Sequence, residues 1–424
     1  MIKGKKFRHL WDFYADPGLN PDSNQDFKFD EVIFLGYGID AQSYSDYRGV
    51  DVKGKAILIY DGEPLNLEGN SLVTGNATPS DWTIARRLQA AKARGASIVL
   101  VIDGKFKENV GELRRRLNSN SLKPAENNPE KVPLASCIHL SSETAKELLG
   151  NKVQKMIKQR DKILSSGRSA SFAIKTNFNI ILEKEIRTLS GHNVLGYVEG
   201  IDPALRHELL VVSAHFDHLG KRGDVIYYGA DDNASGTSTV LEIAQAFREA
   251  QLAGAGPRRS VLFLLVSGEE KGLLGSQYYI SNPVFPLENS IANINVDMVG
   301  RVDKKHAENP DYIYVIGADR ISTELHRINE AANATFTGIE LDYTYNDPKD
   351  PNRYYYRSDH YHFAEKGIPA VFYFSGTHAD YHQPGDTADK LNYEKMAKIG
   401  RLVFHTAWEL TNRDERIKPD VNQR

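Results

Sequence analysis

One stretch limits the folds open to this chain more than any other: residues 209–236, LLVVSAHFDHLGKRGDVIYYGADDNASG. It begins with an apolar run over 209–212 and then turns abruptly to His215, Asp217 and His218. A short Val- and Leu-rich run without alternation predicts a strand covered on both faces. In open α/β sheets, ligand sites lie just beyond the carboxyl ends of such strands. Further on, Asp231, Asp232 and Asn233 precede the small residues 234–236, after which Val240, Ile243, Ala244 and Phe247 recur at helical spacing. Asp232 is therefore expected at or just before a helix N-terminus.

The pattern repeats downstream. The strand expected over 260–266 ends at Ser267-Gly268-Glu269-Glu270, that over 292–296 at Asp297, and that over 369–374 before His378, Asp380 and His382. Further strands are expected over 193–198 and 312–316, and helices over 237–250, 322–332 and 393–411. Strands alternating with helices predict a mostly parallel-stranded mixed sheet flanked by helices, an α/β fold. In the first half, strands are expected over 31–38, 55–60, 97–102, 132–140 and 170–182. Helices are expected over 81–95 and 141–149, the latter capped by Ser141. Residues 111–133 are charged and Asn-rich and read as an exposed loop. No His/Asp/Glu cluster falls within 31–175, so this half reads as a smaller β-rich domain without chemistry of its own.

A chain of 424 residues is too long for one ordinary core. The expected division is an N-terminal segment over 1–30, a small domain over 31–178 and the α/β domain over 179–424. A formal charge of -3 leaves no electrostatic footprint for nucleic acid. The single cysteine, Cys137, excludes an intramolecular disulfide. No apolar run reaches the ~20 residues of a bilayer span. The opening MIKGKKFRHLWDFYADPG is basic without an apolar core, so it is not a signal peptide as it stands.

His215, Asp217, Asp232, Glu269, Glu270, Asp297 and His382 thus gather at strand ends. Imidazole nitrogen with carboxylate oxygen suits Zn2+, with Mn2+ and Co2+ as alternatives. Two histidines and three carboxylates exceed what one tetrahedral ion needs. They suit two ions about 3.5–4 Å apart with one carboxylate bridging. Of the Glu269-Glu270 pair, one can bind metal while its neighbour faces substrate as a base.

AHFDH, GADDNASG, SGEE, NVDMVG and YHQPGDT, in that order, together with SDHYHFAEKGIPAVFYFSG, resemble the M28 family of zinc aminopeptidases. Over the first half, VIFLGYGID, DYRGVDVKGKAILIYDG, ARGASIVLVID and VPLASCIHLSSETAKELL resemble a protease-associated domain, which implies a substrate-shaping rather than a catalytic role. The resemblance implies two zinc ions. His215, Asp297 and a bridging Asp232 would hold one, and Glu270, His382 and the same Asp232 the other. Glu269 would be the general base and acid. Asp217 would hydrogen-bond His215 and fix its tautomer, and Tyr381 would steady the oxyanion. Asp231 is passed over in favour of Asp232. His218, His360, His362 and His378 are expected at the rim or in structural roles. Family members usually carry a helix-rich segment ahead of the inserted domain, whereas about thirty residues precede Glu31 here.

The expected activity is removal of N-terminal residues from peptides, with Tyr343, Tyr345 and Tyr354-Tyr355-Tyr356 as candidate pocket walls. A carboxypeptidase or dipeptidase on the same scaffold is the alternative. It would need a cation for the substrate carboxylate, for which Arg301, Arg353 and Arg357 are candidates. A single-zinc glutaminyl-cyclase-like transferase and a non-catalytic binding protein follow behind. Oligomeric state is not read from the residues. Relatives with the inserted domain are mostly exported, which makes export the expected location.

Overall fold

The computed structural model describes residues 1–118, 122, 133–169 and 171–421. The chain forms two compact units, one of Met1–Ser121 with Ala125–Thr188 and one of Leu122–Pro124 with Leu189–Arg424. Among the described residues, no helix is long and apolar enough to cross a membrane.

The first unit is built on β1 (Phe13–Tyr14), β2 (Gln25–Phe34), β3 (Ala56–Tyr60), β4 (Ile98–Ile102), β5 (Ser136–Leu140) and β6 (Phe172–Leu182). They pair in the order β1-β5-β4-β3-β2-β6. β2, β3, β4 and β5 run parallel, and β1 and β6 are antiparallel to their neighbours. Its helices are α1 (Ile84–Ala93), α2 (Phe106–Asn118), α3 (Ser142–Leu149) and α4 (Val153–Ser166). The Ser141 hydroxyl accepts the Thr144 N–H at 3.2 Å, the expected cap of α3. Residues 111–118, expected in a loop, continue α2 instead. Phe106, Val110, Leu113 and Leu117 fall on one side of that helix and pack with Tyr14 and Leu10. Of the rest of that expected loop, 119–121 and 123–132 lie outside the described residues, as does Ala170 of the strand expected over 170–182.

The second unit carries β7 (Val194–Val198), β8 (Leu209–His215), β9 (Gly220–Arg222), β10 (Val225–Tyr227), β11 (Ser260–Val266), β12 (Ser290–Val296), β13 (Tyr312–Ile316), β14 (Glu340–Asp342) and β15 (Ala370–Phe374). β9 and β10 form a separate hairpin, and the others form one sheet in the order β14-β13-β15-β12-β8-β11-β7. The central strands β15, β12, β8 and β11 are mutually parallel; β7 and β13 pair antiparallel with β11 and β15. The expected mixed, mostly parallel sheet is therefore present, with β12 at its centre and β8 beside it.

Every residue of β8 is buried. Leu210, Val212 and Ala214 face one core with α5 (Gly236–Leu252), α8 (Thr323–Phe336) and α10 (Tyr393–Asn412), through Val240, Ile243, Phe247, Leu325, Ile399 and Leu402. Leu209 and Val211 face the other, with Tyr279 and Ile280 of α6 (Leu274–Ser281) and Phe363 of α9 (His360–Glu365). A strand covered on both faces has no polar side to present, which is why its sequence lacks alternation. The remaining helix is α7 (Ala318–Ile321).

Candidate metal centre

The carboxyl ends of the four parallel strands lie side by side, so residues far apart in sequence meet there. β8 ends on His215, Asp297 follows β12, Glu269 and Glu270 follow β11, and His382 follows β15. The Asp232 loop completes the set. The His215 Nε2 atom lies 3.3 Å from Asp232 Oδ1 and 3.3 Å from Asp297 Oδ1. His382 Nε2 lies 3.0 Å from Asp232 Oδ2 and 3.3 Å from Glu270 Oε2. The two oxygens of Asp232 thus face different histidines. Glu269 Oε2 is 4.0 Å from His215 Nε2.

The Asp232 loop is held by buried hydrogen bonds. Asp386, fully buried, accepts the N–H groups of Asp231 at 3.0 Å and Asp232 at 3.2 Å. Asn233 Oδ1 accepts the N–H groups of Gly236 and Met298, and its Nδ2 donates to the Val296 carbonyl. The Asp232–Asn233 peptide is cis. A Cβ on Gly236 would lie 2.3 Å from both Asn233 Oδ1 and Val296 O, so α5 can start this close to β12 only with glycine there. Asp231 turns away from the cluster: it accepts from Gly300 N–H and Ser235 Oγ, and its Oδ2 lies 3.2 Å from His378 Nε2.

Asp217 departs from its expected part. His215 Nδ1 donates to the Asp217 backbone carbonyl at 3.1 Å, while the Asp217 carboxylate is 3.8 Å away. That carboxylate instead accepts the N–H of Glu269 at 3.1 Å and of Glu270 at 3.4 Å. Its two-residue offset from His215 puts the carbonyl, not the side chain, nearest the ring. Asp297 is braced by Ser358, whose hydroxyl donates to Oδ2 at 2.7 Å and accepts from Asn295 Nδ2 at 2.8 Å. Of the four histidines expected at the rim, His218 lies with Nδ1 2.8 Å from Glu270 Oε1, inside the cluster. His360 is buried and stacks on Phe372, His362 bonds Ser276, and His378 pairs with Asp231. Asp386, Ser358 and His218 are the contributors that sequence reasoning missed. Asp386 and Ser358 lie in segments that carry the family resemblance, YHQPGDT and SDHYHF, and that was the available signal.

The residues present fit divalent cations. With Nδ1 of His215 donating, its Nε2 presents a lone pair to two carboxylate oxygens, an arrangement that calls for a proton or a cation between them. Burial would pull the His215 imidazole down, yet the Asp297, Asp232 and Glu269 carboxylates reverse this and hold it well above its ordinary value. Hydrogen bonds to Asp232 and Glu270 push His382 up to about 9. Burial raises the Glu269 carboxyl far above the usual carboxylate range, His215 opposes this, and Asp297, Asp359 and Asp232 add to it. Glu270 Oε1 likewise meets a histidine nitrogen, His218 Nδ1, at 2.8 Å. Carboxylates gathered this tightly out of water need positive charge to remain there.

Beside the cluster is a cavity walled by Met298, Tyr354, Phe372 and Phe374, with Arg357 and Tyr381. The Tyr381 ring stacks on His382 at 3.9 Å, and its hydroxyl is 3.5 Å from an Arg357 nitrogen. Of the other candidate tyrosines, Tyr345 packs behind Tyr354 at 4.7 Å, Tyr343 against His326, and Tyr355 under Arg320. Among the candidate arginines, Arg301 is paired with Asp380 at 3.0 Å and Arg353 lies over Tyr356. Arg357 lies over Tyr354 and has no carboxylate in ion-pair range among the described residues.

An α/β sheet with acid and imidazole donors on four adjacent strand ends defines a metal-dependent hydrolase site. Residues 193–407 match the model of peptidase family M28, and the chain belongs to that family. A probable leucine aminopeptidase of Arthroderma otae is 32% identical over 221 residues, covering 50% of this chain and 57% of the relative. Aminopeptidase YwaD of Bacillus subtilis is 27% identical over 218 residues, covering 50% of this chain and 43% of the relative. The chain spans about half the length of these curated relatives. A solved zinc aminopeptidase from Bacillus subtilis aligns with a TM-score of 0.44 at 21% identity, over 97% of this chain and 82% of that one.

Proposed function

We propose that the chain is a zinc-dependent exopeptidase of the aminopeptidase type that works with two metal ions. The observation that carries this reading is the split allegiance of Asp232, one oxygen toward His215 and the other toward His382. His215, Asp297 and Asp232 would hold one zinc, and Glu270, His382 and Asp232 the other. Zinc bound there supplies a water acidic enough to ionise near neutral pH and an electrophile for the scissile carbonyl. A relative named as a probable leucine aminopeptidase supports the same reading.

The remaining work falls to the chain's own side chains. The Glu269 carboxylate takes the proton from the attacking water and returns it to the leaving amine. Its neighbourhood suits both halves of that task, since a buried carboxyl among other acids holds a proton more readily than a free one. The Tyr381 hydroxyl steadies the oxyanion from the cavity wall. Met298, Tyr354, Phe372 and Phe374 exclude water and receive an apolar side chain. The first unit, by its likeness to protease-associated domains, takes a non-catalytic, substrate-shaping part.

The test is Glu269→Gln. It should keep its zinc, while turnover of a leucine anilide falls on the order of 10²–10⁴-fold. Full activity in a zinc-loaded variant would reject Glu269 as the base. Arg357 favours a second reading, a dipeptidase or carboxypeptidase, because it gives the cavity an uncommitted cation for a substrate carboxylate. Cleavage of N-blocked peptides with a free C-terminus, and none of aminoacyl anilides, would select that reading.

A further inference from the structure

A second constellation of donors stands at the edge of the same sheet. β14 is the edge strand, and its Glu340 and Asp342, two residues apart, point to one side. The loop between β12 and β13 brings His306 against them. His306 Nε2 lies 3.2 Å from Asp342 Oδ2 and 3.6 Å from Glu340 Oε1. The ring is only 6% exposed and stacks on Tyr312 with centroids 3.6 Å apart.

Its orientation is set from behind. Asp303 Oδ1 accepts both the His306 backbone N–H at 3.0 Å and Nδ1–H at 3.1 Å, and Asp303 Oδ2 accepts the Tyr314 hydroxyl at 2.6 Å. A carboxylate bonded to one ring nitrogen turns the other outward as a ligand, the arrangement found behind metal-binding histidines generally. With Nδ1 donating, Nε2 presents a lone pair to two carboxylates, and only a proton or a cation makes that contact favourable. Asp303, Glu340 and Asp342 bring three negative charges, Lys305, 2.5 Å from Asp342 Oδ2, returns one, and the Lys395 ammonium over the Tyr312 ring acts on Asp303. A divalent ion with neutral His306 brings positive charge to the Glu340 and Asp342 side of the cluster.

The spacing agrees. Ligand bonds of about 2.0–2.2 Å on a tetrahedral ion place donors roughly 3.3–3.6 Å apart. The distances at His306, 3.2 and 3.6 Å, match those of 3.0–3.3 Å around Asp232 in the candidate metal centre. Glu340, half-exposed, opens the cluster to ions from solvent.

We propose a third divalent-cation site, of zinc-type chemistry, held by His306 Nε2, Glu340 and Asp342. It ties the edge strand to the loop that carries His306. Behind it Tyr314 packs on Tyr345 at 4.3 Å and Tyr345 on Tyr354 at 4.7 Å, so the site buttresses the wall of the cavity. The inference does not rest on the peptidase reading. In the full chain, loaded with zinc and freed of excess, His306→Ala and Asp342→Asn should each hold one zinc fewer than the wild type; equal contents would overturn it. Because a difference is read, the number of ions elsewhere does not matter. Wild-type crystals grown with zinc need no variant to fold. A zinc anomalous peak bonded to His306 Nε2 is expected, and its absence at saturating zinc would overturn the site.

Discussion

Both units set parallel strands side by side, and both place acids at the carboxyl ends of those strands, yet among the described residues only one collects metal-type donors there. In the first unit Asp61 follows β3 and Asp103 follows β4. Asp61 meets the buried Arg87 guanidinium at 3.2 Å. Asp103 is 1% exposed and accepts from Tyr14 Oη, Lys105 N–H and Asn109 Nδ2, all within 3.0 Å. Each acid finds its counter-charge or donors within the protein. In the second unit Asp232, Glu269, Glu270 and Asp297 face one another and the imidazoles of His215, His218 and His382 instead. An acid at a strand end becomes a site only where the fold withholds its partner, leaving the balance to something from solution.

The contrast can be broken most forcefully at Asp232. Asp232→Ala should lose both zinc and activity to background, because one carboxylate serves both donor sets; metal analysis beside an anilide assay checks this. A variant that keeps two zinc ions would show that Asp232 is not shared. Asp386→Ala comes next. The Asp386 carboxylate accepts the backbone N–H groups that position Asp232 and lies 3.9 Å from Arg301 Nη1, away from the side chains of the proposed ligands. Loss of such support costs about 10–100-fold in metal affinity or activity, so zinc titration should show weakened but restorable binding. If excess zinc restores nothing, Asp386 serves the fold and not the aim of Asp232.

Of the five proposed ligands, His215, Glu270 and Asp297 were legible because each lies at or just past an apolar run, and apolar runs are what a sequence displays most plainly. The central strands β8, β11, β12 and β15 were legible for the same reason. Asp232 and His382 lie further on in loops and were picked out by the GADDNASG and YHQPGDT motifs. What was not legible depended on contacts across the chain. Asp386 acts on a loop 154 residues away and Ser358 on Asp297 61 residues away, and no local pattern announces either. His218 was expected at the rim or in a structural role, and its approach to Glu270 joins two separate loops, which no local pattern announces. The second half of α2 was hidden by its charges, although Phe106, Val110, Leu113 and Leu117 keep helical spacing. β14 is three residues long, ELD, with too little pattern to read.

In the first unit the same contrast predicts effects on stability and none on zinc. Asp103→Ala would leave buried donors without an acceptor, at a cost of about 4 kcal/mol. Urea unfolding should register that loss, while the zinc content of the folded protein stays at the wild-type value. A fall in zinc content would contradict the assignment of Asp103 to the fold alone.

Asp46 gives the smallest effect and the finest test, because there the fold supplies donors but no charge. It is fully buried and accepts from Tyr37 N–H, Ile39 N–H and the Tyr44 hydroxyl. Burial outweighs these bonds and pushes its carboxyl from 3.8 up to about 6. A carboxyl raised by folding stabilises the native state fully below pH 3.8, and that contribution is lost as pH rises through about 6. A shift of this size, at 1.36 kcal/mol per unit, corresponds to about 3 kcal/mol. Asp46→Asn, always neutral, should therefore gain stability relative to wild type by up to about 3 kcal/mol between pH 4 and pH 7, read from urea midpoints. A gap that stays flat across that window would mean that three hydrogen bonds suffice to hold a buried carboxylate charged. The two units would then differ less than proposed, since missing donors rather than missing positive charge would set the metal centre apart.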